Sequence, residues 1–353
     1  MAWDFETEPE FEAKLAWMRE FVKKEIFPLE TLAPEFRSPE GREAFAKITE
    51  PLKQQVKDQG LWAAHLPPEL GGGGFGQVKL GLMHEILGQS PLAPRIFGNN
   101  APDSGNAELL SLGGTEEQKA KWMRPLLDQK IRSCFSMTEP GAGADPTLLT
   151  TQAVRDGGEW IINGHKWFTS NGRRADIAIV MCRTEEKDGK GGVKDKMTQI
   201  IVPMTTTGVN IIRSVPVWGQ THGDHCEIRY ENVRVPLENQ LGRTGTGHQA
   251  AQDRLGEGRV FHCMNSIGQM WRAFDMMCKR ATSLEVHGGM PETKQSIQGF
   301  IADSYMDIQA ARLMTIHCAH RMGEGSSARV DISAIKMFVP AAFERVVDRA
   351  IQV

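Results

Sequence analysis

Apolar positions recur along this chain with two different periods, and the changes of period divide it into three. Over the first 130 residues the spacing is helical. Phe11, Leu15, Met18, Val22 and Ile26 share one face of a predicted helix over 8–27, with Pro28 at its expected stop. A second helix is predicted over 41–59. The run from Leu66 to Gly76 (LPPELGGGGFG) breaks the pattern, either as a shaped loop or as a flexible connector. Helices follow over 77–89 and 103–112, and Thr115 with Gln118 forms a capping box for a further helix over 115–128.

From 131 to about 235 the period becomes two. Strands are predicted over 132–137, 151–155, 159–163, 166–169, 176–183, 197–202, 208–213 and 225–230. Asp156-Gly157-Gly158 and Asn163-Gly164 read as turns, and Glu185 to Lys196 as a charged, solvated loop. Many short strands with no G-x-G-x-x-G between strand and helix indicate an antiparallel sandwich or barrel, not a dinucleotide-binding sheet. The helical period then returns over 247–284, 291–322 and 328–353. Ile297, Ile301, Tyr305, Ile308 and Arg312 line a face of the second helix. Ile332, Ile335, Val339, Phe343, Val346 and Ala350 line the third, where Pro340 is expected to kink the helix or delay its start. The fold class is therefore α+β, with an all-α domain over 1–130, a β-domain over 131–242 and a helical domain over 243–353.

Composition narrows the function. Apolar residues make up 40% of the 353, charged residues 24%, and the net charge is -3. That balance describes a soluble chain with no nucleic-acid surface. No apolar run is long enough to span a bilayer, and the acidic start (MAWDFE) is unlike a secretory or transit peptide. Six scattered cysteines without a C-x-x-C pair read as free thiols in a reducing cytosol, so a cytoplasmic location is expected. Trp62, Trp122, Trp218 and Trp271 read as core. His222, His225 and Cys226, then His262 and Cys263, then His317, Cys318 and His320 lack the paired spacing of a structural zinc site.

Two stretches carry the chemistry. The first, Ser133 to Pro146 (SCFSMTEPGAGADP), halts an extended run at Glu-Pro and opens into small residues whose amides a ligand can approach. The second, Glu159 to Gly172 (EWIINGHKWFTSNG), alternates aromatic and hydroxyl residues. Together they resemble the acyl-CoA dehydrogenase family, with its Tyr-x-x-Thr-Glu-Pro-x-Ala-Gly-Ser-Asp and Asn-Gly-x-Lys-x-Trp-Ile-Thr-Asn patterns. Phe135 stands in the Tyr place, Ala144 in the Ser place, Phe168 in the Trp place and Ser170 in the second Thr place. The order of helices, sheet and helices is also the family's.

The resemblance implies FAD and an acyl-CoA substrate, oxidised between its α and β carbons to a 2-enoyl-CoA. It places Phe135, Met137 and Thr138 along the flavin ring and Gly143 and Ala144 at the pyrophosphate. Phe168 packs on the ring, Thr169 lines it, and Ser170 offers a hydroxyl to the hydride-accepting nitrogen. Ala144 and Arg259 are implied substrate contacts. An Arg-x-Thr-Phe-Gly segment that reaches a neighbouring subunit's flavin in the family aligns here with Leu284 to Gly288, and the glutamine after it with Gln295. Leu284 removes the charge and Val286 the hydroxyl. Such contacts imply a homodimer or homotetramer, or a hetero-oligomer, and an electron-transfer flavoprotein as acceptor.

The catalytic base has no match. One family position for its glutamate precedes the arginine matched by Arg259 and is Gly258 here; the other lies in a loop beyond the third C-terminal helix, after the region reached by Val353. Glu257 points about 100° away on a helix, and Gly256 replaces an aspartate three residues before Arg259. The alternatives are a non-catalytic or partner-dependent subunit of this fold, and an acyl-CoA oxidase.

Overall fold

The computed structural model describes residues 6–32, 39–187, 193–217 and 224–353. Trp218 and His222 lie outside them, as do the side chains of 253–257, Glu257 included. Helices α1 (Pro9–Phe21), α2 (Pro39–Asp58), α3 (Gly76–Leu87) and α4 (Ala93–Ile96) come first. Next is α5 (Asp103–Gly113), followed by α6 (Glu116–Gln118) and α7 (Arg124–Leu127) around a π-helical turn. The strands are β1 (Ser133–Ser136), β2 (Gln152–Asp156), β3 (Glu159–Ser170), β4 (Ile177–Lys187), β5 (Val193–Pro203), β6 (Val209–Ser214), β7 (His225–Pro236) and β8 (Gln240–Leu241). Three long helices follow, α8 (Gly247–Ala281), α9 (Gln295–Gly323) and α10 (Arg329–Gln352). Helices, sheet, helices is the expected α+β order. Contacts gather the chain into two compact units, Met1–Asn99 with Leu255–Val353, and Asn100–Arg254.

In the helical unit the predicted face of α1 is buried throughout, from Phe11 and Leu15 to Met18, Val22 and Ile26. Pro28 does not end the turn: the chain runs on as a 3-10 helix to Leu32, since proline near the start of a helical turn has no needed N–H to lose. The Leu66–Gly76 break is a shaped loop, closed by Gly72 N to Pro67 O at 3.1 Å and Gly74 N to Leu66 O at 3.2 Å. On α9 the buried stripe is Ser304, Ile308, Ala311, Thr315, Cys318 and Ala319, while Tyr305 is half exposed. Arg312 belongs to no apolar face: its Nε lies 2.9 Å from both Glu85 carboxylate oxygens, and Trp271 Nε1 donates to the same group at 3.0 Å. Pro340 sits inside α10 without delaying its start at Arg329. Of the tryptophans read as core, Trp62 and Trp271 are partly buried against the helical core and Trp122 is partly exposed, while among the described residues Trp160 in β3 is the fully buried indole.

The sheet unit has the strand order β6-β7-β3-β2-β4-β5-β8, with β1 pairing β4 in parallel off this path. The remaining long pairings are antiparallel. Asp156 to Glu159 makes the β2–β3 hairpin turn, with Gly157 at φ 60°. Asn163-Gly164 does not turn. β3 runs straight through it, with Asn163 opposite Gln152 and Gly164 opposite Tyr230 around a bulge. The glycine is required by close approach, because a Cβ there would lie 2.1 Å from Thr151 Oγ1. The charged stretch from Glu185 to Lys196 also differs from expectation: Glu185 pairs with Asp195 and Glu186 with Lys194, extending the β4–β5 hairpin. Residues 188–192 lie outside the described part.

The helices α5 to α7 pack in this same unit. The predicted capping box at Thr115 is formed, and Gln118 Nε2 also donates to the carbonyls of Glu238 (2.7 Å) and Gln240 (2.8 Å). The side chains Cys134, Trp160, Ile162, Val180, Val202, Cys226, Ile228 and Tyr230 fill the core on one face of the sheet. All six cysteines are free. Among the described residues, no helix is long and apolar enough to cross a membrane.

Candidate active site

The two motif stretches meet where β1 leaves the sheet. Trp167 N donates to Thr138 O at 3.0 Å, which joins the Thr-Glu-Pro turn to the middle of β3. Beneath this junction lies an ion pair that sequence reasoning did not single out. Lys166 Nζ is 3.0 Å from Glu139 Oε1 and 2.7 Å from Met137 O, and both side chains are buried. Glu139 also accepts from Thr150 N and Oγ1, each at 2.7 Å, and from Thr151 N at 2.9 Å. Burial alone would raise the Glu139 carboxyl, but the Lys166 ammonium and these hydrogen bonds outweigh it and hold the group at about 2. Burial pushes Lys166 down against the pull of Glu139. The signal in the sequence was a lysine at an inward position of β3 that needed an anion.

Above the pair, β3 carries an extra residue. Lys166 faces Ile228 and Thr169 faces Cys226, so three steps on β3 match two on β7. The bulge falls at Trp167 and Phe168, and Phe168 takes φ 51° in the left-handed region, which a phenylalanine rarely adopts. Its ring is 41% exposed and meets Trp167 edge-on, 4.9 Å between centroids.

Phe135 and Met137 alternate with inward-facing Cys134 and Ser136, and pack half-buried beside Ala142, Leu149 and Met181. Gly143 and Ala144 are exposed, and a Cβ built at Gly141 or Gly143 would meet no atom within 4 Å. Thr138 is half-buried. Thr169 is buried, its hydroxyl 3.3 Å from Ser136 Oγ, which in turn accepts from Tyr230 OH at 3.0 Å. That hydroxyl therefore serves the sheet interior. Ser170 is half-buried, with Oγ 2.8 Å from His225 Nδ1, a second partner absent from the sequence-level candidates. The surface so formed, with an aromatic ring, half-buried apolar side chains, two half-buried hydroxyls and an open small-residue turn, suits a flat cofactor with a polar edge and an anionic tail.

Arg259 and Gln295 lie in the helical unit, Arg259 partly buried on α8 and Gln295 exposed as the first residue of α9. Leu284 is half exposed, and Val286 and Gly289 close a tight turn through His287 (φ 50°) and Gly288 (φ 73°). Among the described residues no three His, Cys, Asp or Glu side chains gather as a metal site.

The chain matches the acyl-CoA dehydrogenase N-terminal domain over residues 8–130, the middle domain over 134–233 and the C-terminal domain over 245–353. It is 40% identical to "Probable acyl-CoA dehydrogenase FadE2" of Mycobacterium tuberculosis, over 95% of this chain and 83% of that one. It is 38% identical to "Acyl-CoA dehydrogenase family member 11" of Gallus gallus over 95% of its length, but spans only 44% of that longer relative. An acyl-CoA dehydrogenase-type protein of Mycobacterium abscessus superposes with a TM-score of 0.88 at 32% identity, covering 99% of this chain and 89% of the other. A glutaryl-CoA dehydrogenase of Mycobacterium smegmatis, solved with FADH2, shares the fold at 23% identity and a TM-score of 0.81, covering 98% and 84%. Both signature stretches, joined at Thr138 and Trp167, thus sit inside a match that runs through all three domains, and the chain belongs to the acyl-CoA dehydrogenase family.

Proposed function

We propose that this chain binds FAD on the face built from Phe135, Met137, Thr138 and Phe168, and uses it to oxidise an acyl-CoA thioester to the 2-enoyl-CoA. The observation that carries the reading is the Thr138–Trp167 junction, which brings both motifs to one surface and leaves the Phe168 ring outward. Bound FAD supplies the electron sink that accepts hydride from the β-carbon. The protein's part is orientation. Thr138 and Ser170 offer hydroxyls to the ring edge, and the open amides at Gly143 and Ala144 offer donors to the pyrophosphate. Ala144 contributes a backbone amide on the substrate side, and Arg259 stands at the position that in the family helps hold the CoA chain. Gln295 is the candidate contact to a neighbouring subunit's FAD, which makes a homodimer or homotetramer the proposed assembly and an electron-transfer flavoprotein the proposed acceptor.

A second reading, a flavin-carrying subunit that depends on a partner for its base, is favoured by Gly258 at the position next to Arg259. Purified protein incubated with FAD and desalted separates these readings. Retained yellow colour that bleaches anaerobically with an acyl-CoA supports the dehydrogenase. Colour that does not bleach supports the second reading, and folded protein that retains no FAD refutes both.

A further inference from the structure

We propose that His225 is a positioning residue that decides which way the Ser170 hydroxyl directs its proton. This rests on the reading above, in which Ser170 faces the hydride-accepting nitrogen. Ser170 ends β3, His225 begins β7, and the antiparallel register sets them directly opposite each other. Ser170 Oγ lies 2.8 Å from His225 Nδ1, and both residues are half-buried. The pair is held from several sides. Val215 N donates to His225 O at 2.7 Å, and Asn171, left-handed at φ 70°, ties the end of β3 to β1 through Nδ2 to Ser133 O at 2.9 Å. The neighbouring Asp224 carboxylate is engaged by Arg173 N at 3.2 Å and Arg174 Nε at 3.0 Å.

A hydroxyl has one proton and two sets of lone pairs, whereas an imidazole Nδ1 accepts in one neutral tautomer and donates in the other. When Nδ1 accepts, Ser170 donates its hydrogen bond to His225 and presents only lone pairs outward. When Nδ1 donates, the hydroxyl proton is free to point outward. A flavin ring nitrogen accepts a hydrogen bond when oxidised and carries an N–H when reduced, so the serine proton keeps a partner in both states when His225 reverses. His225 reverses by releasing a proton from one ring nitrogen to solvent and taking one up on the other, with no change of charge. A partner of fixed sense would favour one state.

The test is a double-mutant cycle with Ser170→Ala, His225→Phe and the pair, reading the Kd for FAD and the flavin midpoint potential, with the thermal midpoint as control. Each single substitution is expected to weaken FAD about fivefold, the worth of one net hydrogen bond. In the Ser170→Ala background, His225→Phe should add less than about twofold and leave the potential unmoved, because its effect passes through the hydroxyl. Equal effects of His225→Phe with and without Ser170 would overturn the proposal. So would a lowered thermal midpoint with FAD affinity and potential unchanged. If His225→Phe does not fold, His225→Gln replaces it under the same criteria. Wild-type protein that takes up no FAD refutes the cofactor reading and this proposal with it, while an additive cycle on FAD-binding protein refutes only the role of His225.

Discussion

Replacing Lys166 with methionine keeps most of the side chain's volume and removes its charge. Glu139 is then left 2% exposed with three hydrogen bonds, from Thr150 N, Thr150 Oγ1 and Thr151 N, and no counterion. Stripping one partner from a buried pair costs roughly 3–5 kcal/mol. The surviving donors put this case at the lower end, about 3 kcal/mol. The sheet unit spans Asn100–Arg254, a size for which each kcal/mol shifts the melting midpoint by roughly 2–4 °C, so Lys166→Met should lower its unfolding midpoint by about 10 °C. Glu139→Gln strands Lys166 with the Met137 carbonyl and should cost a similar amount. The double variant should be less destabilised than the sum of the singles by about 1–3 kcal/mol, because the second change removes the charge that the first orphaned. Since Trp167 and Thr138 join immediately above, the single variants should also bind FAD more weakly. Differential scanning calorimetry and FAD titration measure both effects. A Lys166→Met cost under about 1 kcal/mol, or strict additivity in the double variant, would refute the claim that this pair fixes the junction. The acid limb follows from the same contacts. Glu139 sits at about 2 against an ordinary 4.5, so its contribution is complete above pH 4.5 and is lost as pH falls from there through 2.

Gly164→Ala places a Cβ 2.1 Å from the Oγ1 of fully buried Thr151; overpacking should cost about 1–3 kcal/mol by urea unfolding, and a neutral result would mean that β3 can shift. In the helical unit, burial holds the His84 imidazole, stacked on Phe261 and 3.2 Å from Asn265 Oδ1, down at about 4 against an ordinary 6.5. The unfolded chain binds the extra proton between those values, so stability is full above pH 6.5 and falls below it, by about 2 kcal/mol between pH 7 and 5. His84→Gln should flatten that slope in denaturation curves at the two pH values; an unchanged slope places its origin elsewhere. Gly258→Glu puts a carboxylate beside Arg259 at a helical position where a Cβ meets no atom within 4 Å. It should fold at least as stably, by up to about 1 kcal/mol, and raise the rate of anaerobic flavin bleaching by acyl-CoA; bleaching no faster than wild type would exclude that position for the base.

The sequence showed the parts of the fold that rest on local periodicity. The α1 face, the capping box at Thr115 and the β2–β3 turn at Gly157 are each set by side chains a few residues apart, and each lies where its pattern puts it. What it hid depends on partners far along the chain. Asn163-Gly164 has the composition of a hairpin turn, yet Thr151 crowds the glycine from β2's side and β7 pairs across it, so tertiary pairing wins over local turn chemistry. Arg312 falls on an apolar spacing, and only Glu85, on another helix, explains a charge there.

The proposed site divides in the same way. A motif states residue types in order, which is why Phe135, Met137, Thr138 and Phe168 can be named from the sequence as cofactor candidates. Lys166 and Glu139 stand in those same motifs, and His225 is a residue of β7; none of the three was legible in its role, because a motif does not say which side chains meet. Thr169 shows the limit most clearly. Counting along the motif places it beside its neighbours on the cofactor side, but the extra residue at Trp167–Phe168 resets the alternation, and its hydroxyl goes inward to Ser136. The bulge thus does two things at once: it turns Phe168 out at a strained backbone angle, and it passes the outward hydroxyl role from Thr169 to Ser170. A β3 without the bulge would alternate strictly from the buried Lys166, which turns Phe168 and Ser170 inward and Thr169 outward, the reverse of the arrangement β3 adopts.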